Sequence, residues 1–236
     1  SKYVGWRGMD MSLKPPKKSD MKKGWMKSRR DNPKKILPEY HLIVTEGTDT
    51  EPAYFGTIRD IINSKHRGRI NLEVAGEGDN TLNLFDKAKN RAIRSPNEYK
   101  HVWVVYDTDD FPADHIDKTA QRCTDESTEE TKYHAIWSNQ CVELWFLLHF
   151  SYMQSDLHRK EYFPKLTECL NRINAGEYDK KRKDMFQTLL PYLDTAIANA
   201  RKLDKVNQGR NPSESAPGTK VYELIVKLEP YFEISG

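Results

Sequence analysis

Two acidic patterns in this sequence have the residue types and the spacing of a metal site. Glu46 directly follows a short apolar run at residues 41–45, and Asp107 and Asp109 follow a second apolar run at residues 101–106. Residues i and i+2 of an extended segment point to the same side, so the two aspartates can aim at one point. If the runs are neighbouring parallel strands, Glu46 reaches the same edge of the sheet, where ligands bind in open α/β folds.

Three converging carboxylates repel one another unless a cation or a proton neutralises them. Mg²⁺ is the natural cation, because it takes oxygen ligands from few carboxylates together with water, and Mn²⁺ can substitute for it. Such an ion polarises a phosphoryl oxygen, activates water and stabilises the leaving oxygen. We predict Glu46, Asp107, Asp109 and Asp110 as metal ligands. Glu51 and Asp110 are further acids that could support a second ion or act as a base.

A simpler interpretation of these acids remains open, because loops are rich in aspartate. Asp107 and Asp109 could cap the helix expected after Pro112, and Glu46 could bond the amides of its own loop. A lone Asp-x-Asp does not separate the two interpretations. The presence of Glu46 and Gly47 after a first buried strand favours the metal site.

Asn139 and Glu143 lie four residues apart at an expected strand-to-helix junction, and this spacing brings both side chains to one side. In the functional interpretation, Glu143 faces the metal site as a catalytic acid and Asn139 orients a nucleic-acid ligand. In the structural one, Asn139 caps the helix and Glu143 favours the dipole of its first turn. The sequence leaves both open.

Two basic features are candidates for phosphate contact. Lys202, Lys205 and Arg210 lie near a Gly/Pro-rich loop and could bind backbone phosphates, although a run of charges on a helix is usually a solvated face. Residues 1–35 hold twelve Lys/Arg against three Asp/Glu, whereas the remainder of the chain is mildly acidic. Such an arm attracts phosphates, or else serves only as a solvated tail.

Strand-like and helix-like segments alternate up to residue 138, which predicts an α/β sheet that is largely parallel. A helix is expected after Thr50, as N-cap, with Pro52 in its first turn. Further along, helical periodicity predominates. The expected strands are 41–45, 70–75, 101–106 and 133–137; the other expected helices are 82–93, 113–124, 142–150, 159–175, 184–205 and 220–232.

The composition is that of a water-soluble globular chain. Of its 236 residues, 37% are apolar and 31% are charged, and no apolar run is long enough to span a membrane. The three cysteines are far apart, so neither a disulfide framework nor a zinc site is expected. No secretory signal is recognisable in these residues. We therefore expect a cytoplasmic location.

Several of these motifs together resemble the RloB-like proteins, a Toprim-related family of bacterial phage-defence loci. The resemblance rests on the segments 43–47 with 50–55, 104–111, 138–139 with 143–150, and more weakly 211–213 followed by Val221 and Leu224. It implies a Toprim-like fold, metal bound by Glu46, Asp107 and Asp109, an ABC/SMC-type ATPase partner, and a role in abortive infection. Gln140 stands where the family pattern commonly has proline, so the sequence departs from that pattern at this loop.

We expect a Toprim-like α/β fold with a mostly parallel sheet flanked by helices. Its expected parts are a basic, extended arm at 1–37, an α/β core at 38–150, and a helical region at 151–236 packed on that core. The expected function is a Mg²⁺-dependent nuclease acting on DNA or RNA, with Glu46, Asp107, Asp109, Glu51 and Glu143 as catalytic residues and a homo-oligomer as a possible assembly. The alternative is a regulatory module that binds nucleic acid or the ATPase without cutting. A nucleotide-sugar transferase also places Asp-x-Asp after a buried strand, but it leaves Glu46 unexplained.

Overall fold

A computed structural model describes residues 39–66, 70–78, 81–108 and 111–232 of the chain. The predictions made for the arm at 1–37 and for Asp109 and Asp110 therefore lie outside the described residues. Residues 38–236 belong to one compact unit. In the described part of the chain, no helix is both long and apolar enough to cross a membrane.

A mostly parallel sheet lies at the centre of the described unit, which confirms the predicted fold class. Its strands stand in the order β2-β1-β3-β4-β5, and only β5 is antiparallel to its neighbour. The strands are β1 (Glu39–Thr45), β2 (Ile70–Gly76), β3 (Tyr99–Asp107), β4 (Lys132–Asn139) and β5 (Gly218–Thr219). The short β5 was not predicted and comes from the region expected to be only helical.

Helices cover both faces of this sheet. They are α1 (Thr50–Lys65), α2 (Thr81–Arg94), α3 (Ala113–Asp125), α4 (Glu143–Leu148), α5 (Arg159–Arg172), α6 (Met185–Leu189), α7 (Leu193–Val206) and α8 (Val221–Phe232). The single helix predicted over 184–205 is interrupted by a 3₁₀ turn at Leu190–Tyr192. Pro191 lies in that turn, and proline has no N–H to continue an α-helical ladder.

The start of α1 differs by one residue from the prediction. Asp49, not Thr50, precedes the helix, and its side chain makes no capping hydrogen bond. Thr50 is the first helical residue, which places Pro52 in the first turn as expected. Proline is tolerated there because the first N–H groups of a helix have no partner within it.

The core is divided by the sheet into two apolar layers. Leu42 and Val44 of β1 point to the layer covered by α2 and α3. Ile43, between them, points to the opposite layer, which α1 shares with α4 to α8. Because both faces are buried, the parallel strands are apolar on both sides. The C-terminal helices and the sheet thus share one core.

A buried hydrogen bond joins α4 to α1 within the larger layer. Trp145 is 0% exposed, and its indole Nε1–H donates to the hydroxyl of Tyr54 at 3.0 Å. The bond satisfies both polar groups inside an apolar environment, as buried polar atoms require. It also fixes α4, the helix that carries Glu143, against the helix that follows Glu46.

Three histidine rings stack across β1, β3 and β4 near the amino ends of the strands. The ring centroids of His41 and His101 are 4.9 Å apart, and those of His101 and His134 are 5.2 Å apart. Nε2 of His101 lies 2.8 Å from a Glu39 carboxylate oxygen, and its Nδ1 lies 2.9 Å from Nε2 of His134. Neutral rings satisfy both contacts, with His134 donating to His101 and His101 donating to Glu39.

Acidification is expected to destabilise the fold through two of these rings, His101 and His134. Burial lowers the pKa of His101 and of His134 to about 4, whereas an unfolded histidine titrates near 6.5. Between these values the unfolded chain binds more protons than the native one, so the free energy of unfolding falls as the pH falls from about 6.5 to 4. Allowing for partial solvent exposure, we expect a loss of about 1–2 kcal/mol per histidine.

Urea unfolding measured between pH 7.5 and pH 4.5 checks this expectation. A His134→Gln variant should lose less stability over that range than the wild type, because one of the two titrating rings is gone. An equal pH dependence in both proteins would contradict the assignment.

Candidate functional site

A pocket of about 260 Å³ lies at the carboxyl edge of the sheet, beside β1 and β3. The chain passes from β1 to β2 on one side and later to β3 on the other, so β1 and β3 flank a switch in strand order. Ligands of open α/β sheets bind in the crevice at such a point. The pocket is lined by Glu46, Gly47, Thr48, Asp49, Thr50, Glu51, Asp107, Phe111, Cys141, Val142, Glu143, Arg159, Phe163 and Lys180.

Glu46 is fixed by both its main chain and its side chain. Its N–H donates to the carbonyl of Val105 at 2.9 Å, and its carbonyl accepts from the N–H of Gly78 at 3.0 Å. One carboxylate oxygen accepts a long bond of 3.4 Å from the Thr81 hydroxyl, and the other accepts from the N–H of Asp107 at 3.4 Å. The carboxylate of Glu46 is thereby held beside the end of β3.

Asp107 is the last residue of β3 and links that strand to α4. Its Oδ1 accepts from the N–H of Val142 at 3.0 Å, immediately before α4 begins. Pro112 is the N-cap residue of α3 and supplies no side-chain capping bond. The bond that Asp107 accepts from Val142 lies instead at the start of α4. A carboxylate has about four acceptor sites, so this bond is compatible with metal binding.

Glu51 packs directly on the main chain of Gly47. Glu51 is 5% exposed, and a Cβ added to residue 47 would lie 2.2 Å from its Oε2. The same loop is closely approached from β2, because a Cβ on Gly76 would lie 2.7 Å from the carbonyl oxygen of Gly47. The small size of Gly47 thus allows Glu51 to reach the pocket.

Replacing Gly47 with alanine is expected to displace the Glu51 carboxylate without unfolding the chain, because the flexible end of a side chain can move aside. If the pocket binds a divalent ion as the sequence predicts, its affinity for Mn²⁺ should fall about 10- to 100-fold, as metal affinity does when a group supporting a metal site is disturbed. Titration with Mn²⁺ and the unfolding midpoint should be measured together. Unchanged metal affinity with unchanged stability would contradict the expectation.

Glu143 lies at the floor of the pocket and is 3% exposed. The hydroxyl of Tyr178 donates to its Oε1 at 2.7 Å. Burial raises the pKa of the Tyr178 phenol far above its usual value, and the nearby Glu143 raises it further. Tyr178 therefore remains protonated and keeps donating. Glu143 lines the pocket and also stands in the first turn of α4, where an acid favours the helix dipole; its catalytic role stays a prediction.

Asn139 does not cap α4, and its contact with a nucleic-acid ligand stays a prediction. It ends β4, is 8% exposed and is not among the residues that line the pocket. Val142, not Asn139, precedes α4. The chain makes a turn between β4 and α4, so the helix begins too late for Asn139 to cap it. Burial, together with Glu143 and Asp107, raises the pKa of Cys141 in this turn, which keeps its thiol protonated.

Lys202, Lys205 and Arg210 are exposed but do not line the pocket. The ammonium of Lys202 lies 4.1 Å from the ring centroid of Tyr152. Arg210 is 3.5 Å from the side-chain oxygen of Asn207. Their role in nucleic-acid binding stays a prediction, and it would concern a surface outside the pocket.

Four other residues at the site were not predicted from the sequence. Arg159, Phe163 and Lys180 line the pocket, and Tyr178 holds Glu143. All four come from α5 or from the segment between α5 and α6. The only local signal was a helix start near residue 159, which places Arg159 on a helix but does not direct it to an acidic pocket.

The carboxylates of the pocket have the donor chemistry that Mg²⁺ requires. Within the described residues, no group of three or more His, Cys, Asp or Glu side chains is placed to hold a metal ion; Asp109 and Asp110 lie outside those residues. Mg²⁺ is commonly held by one or two carboxylates and keeps several waters. Glu46 and Asp107 can supply those two carboxylates, so the residues present fit the ion.

Comparison with known proteins gives one family match. The family described as RloB-like protein matches residues 41–228, which includes most of β1, all of β2 to β5 and nearly all of the helical region. No curated protein and no solved structure matches the chain.

Proposed function

Because this chain belongs to the RloB-like protein family, we propose that it is a Mg²⁺-dependent nuclease that hydrolyses phosphodiesters of DNA or RNA. The observation that carries the proposal is the meeting of Glu46 and Asp107, 61 residues apart in the chain, with Glu46 Oε2 3.4 Å from the Asp107 N–H. Both line a pocket at the switch point of a parallel sheet. The same placement of acids supports a relationship to the Toprim fold.

In this proposal, Glu46 and Asp107 would hold the ion together with Asp109, with Asp110 as a further candidate ligand. When bound, Mg²⁺ polarises a phosphoryl oxygen and lowers the pKa of a water, and Mn²⁺ can take its place. Thr81 and the Asp107 amide keep the Glu46 carboxylate in one orientation.

Glu143 and Glu51 are proposed to accept the proton of the attacking water or to support a second ion. Both are nearly buried, so their carboxylates are reached only from inside the pocket. The Tyr178 hydroxyl restricts the rotation of Glu143, and Gly47 leaves space for Glu51.

The test is cleavage of labelled single- and double-stranded DNA and RNA in Mg²⁺, in Mn²⁺ and in a chelator. The wild type should cut only with metal, and an Asp107→Asn variant should not cut. Asp60→Asn, an exposed aspartate of α1, is the matched control and should cut like the wild type. Equal activity in all three proteins, or no product from the wild type with any metal, would overturn the proposal.

A second candidate function is a module that binds nucleic acid or an ATPase partner without cutting. The observation in its favour is that, in the part of the chain the structure describes, no three metal-type side chains are placed around one point. Nucleic-acid affinity without any product across metals would select this candidate.

The family membership also supports a biological setting. We propose that the protein is an effector of anti-phage defence in the cytoplasm, acts with an ABC/SMC-type ATPase encoded nearby, and could assemble as a homo-oligomer. Phage plating on cells with the wild-type locus or with Asp107→Asn tests the defence role, and co-purification tests the ATPase. Equal plating efficiencies would contradict a defence role that depends on this site.

A further inference from the structure

The pocket is lined by side chains of both charges. Its lining includes five carboxylates and two cations, Arg159 and Lys180, which gives a formal charge of −3 when all are ionised. A polyanion is repelled by such a pocket until divalent cations bind the acids. Once they do, the two cations from the C-terminal region face a site that can accept a phosphate.

Lys180 is held in place by an aromatic ring. Its ammonium lies 5.1 Å from the ring centroid of Phe163, and both residues line the pocket. A cation over an aromatic face is stabilised by the ring quadrupole. Lys180 is itself exposed, so its charge remains accessible to a ligand that enters from solvent.

The main chain of Arg159, the first residue of α5, is also held in a defined position. Its N–H donates to the side-chain oxygen of Gln140 at 2.8 Å, which ties the start of α5 to the turn after β4. His158 and Glu161 form a capping box at the same helix start. Since a capping box fixes the path of the chain into a helix, the Arg159 side chain leaves a well-positioned main chain at the pocket.

Two of the five acids are nearly buried, which limits the kind of strand that can reach them. Glu51 and Glu143 are 5% and 3% exposed, and the pocket has a volume of about 260 Å³. A DNA duplex is stiff, with a persistence length of roughly 50 nm, and bending it over a short site costs several kcal/mol. An unpaired segment can direct one phosphate inward at much lower cost.

We propose that Arg159 and Lys180 bind a backbone phosphate of single-stranded nucleic acid and that the pocket admits an unpaired segment in preference to a duplex. The inference rests on the proposed function, because it takes the acids as the place where the phosphodiester is cut. Phe163 is then a positioning residue that acts through Lys180.

The test uses the full chain, so that the basic N-terminal residues contribute equally to every measurement. Binding of a labelled single-stranded oligonucleotide and of the same sequence as a duplex is measured in Ca²⁺ over a range of salt concentrations. Arg159→Ala and Lys180→Ala are compared with Arg172→Ala, at the far end of the same helix, and Lys181→Ala, next in the chain; neither control residue lines the pocket.

Each pocket variant should weaken single-strand binding about 5- to 10-fold and reduce the salt slope by about 1, whereas the controls should not. Duplex binding should be weaker than single-strand binding in the wild type and insensitive to the pocket variants. Single-strand affinity equal in pocket and control variants, or equal losses for both substrates, would overturn the inference.

Cleavage in Mg²⁺ separates this inference from the proposed function. If the nuclease proposal also holds, the pocket variants should raise KM with little change in kcat. Selective single-strand binding without cleavage in any metal would support the phosphate contacts and reject the nuclease. Cleavage that requires Asp107 but is unchanged in the Arg159 and Lys180 variants would support the nuclease and reject the phosphate contacts.

Discussion

Replacing Glu46 with glutamine is expected to lower the rate of phosphodiester cleavage by about 1000-fold while leaving the fold intact. Glutamine has the shape of glutamate and keeps a side-chain oxygen that can accept from the Thr81 hydroxyl or from the Asp107 N–H. It loses the negative charge that attracts a divalent ion. A rate about 1000-fold lower corresponds to a loss of about 4 kcal/mol of the stabilisation that the metal gives to the transition state.

The rate should be measured under single-turnover conditions, alongside Mn²⁺ affinity and the unfolding midpoint. Glu98→Gln is the matched control, because Glu98 is exposed and does not line the pocket. It should retain the wild-type rate and the wild-type metal affinity. A Glu46→Gln protein that binds Mn²⁺ and cleaves like the wild type would contradict the proposal that Glu46 is a metal ligand.

Replacing Trp145 with alanine is expected to lower the free energy of unfolding by about 4 kcal/mol, because a buried tryptophan leaves a large cavity when it is truncated. The indole is 0% exposed and its N–H donates to Tyr54 at 3.0 Å. The variant also leaves the Tyr54 hydroxyl without this partner in an apolar environment, which adds to the cost. Domains of this size are commonly stable by only about 5–15 kcal/mol.

Chemical denaturation gives the change directly, provided that the denaturant slope is the same for both proteins. Ile93→Ala serves as the control, since Ile93 is 67% exposed and such surface changes usually alter stability by less than about 0.5 kcal/mol. A Trp145→Ala protein within 1 kcal/mol of the wild type would contradict the packing of α4 described above.

The parallel sheet could be predicted from the sequence because its signals are local. Each strand is a short apolar run that ends in a turn, and β-α alternation restricts how such runs assemble. The meeting of Glu46 with Asp107 followed from the same reasoning, since each acid lies at the carboxyl end of a strand. That prediction needed only the strand ends and the rule that they share one edge of the sheet.

Other features depend on tertiary contacts that no local sequence pattern indicates. Lys180 reaches the pocket by the packing of a segment more than 130 residues from Glu46 along the chain. The two-residue strand β5 exists only because Gly218 and Thr219 lie beside β4, and its length is too short for periodicity to indicate. Asn139 was wrongly considered as a cap of α4, because spacing alone cannot reveal that the chain turns between β4 and α4.

The single core shared by the sheet and the C-terminal helices has a practical consequence for anyone who shortens this protein. A fragment ending at residue 150 would keep every acid of the pocket but would uncover the sheet face formed by residues such as Ile43 and Trp103, which now packs with the later helices. An apolar surface of that kind promotes aggregation in water. The acids therefore cannot be separated from the rest of the chain: the segment that carries them depends for its solubility on the C-terminal helices, where the sequence offers only the weaker motif at 211–213.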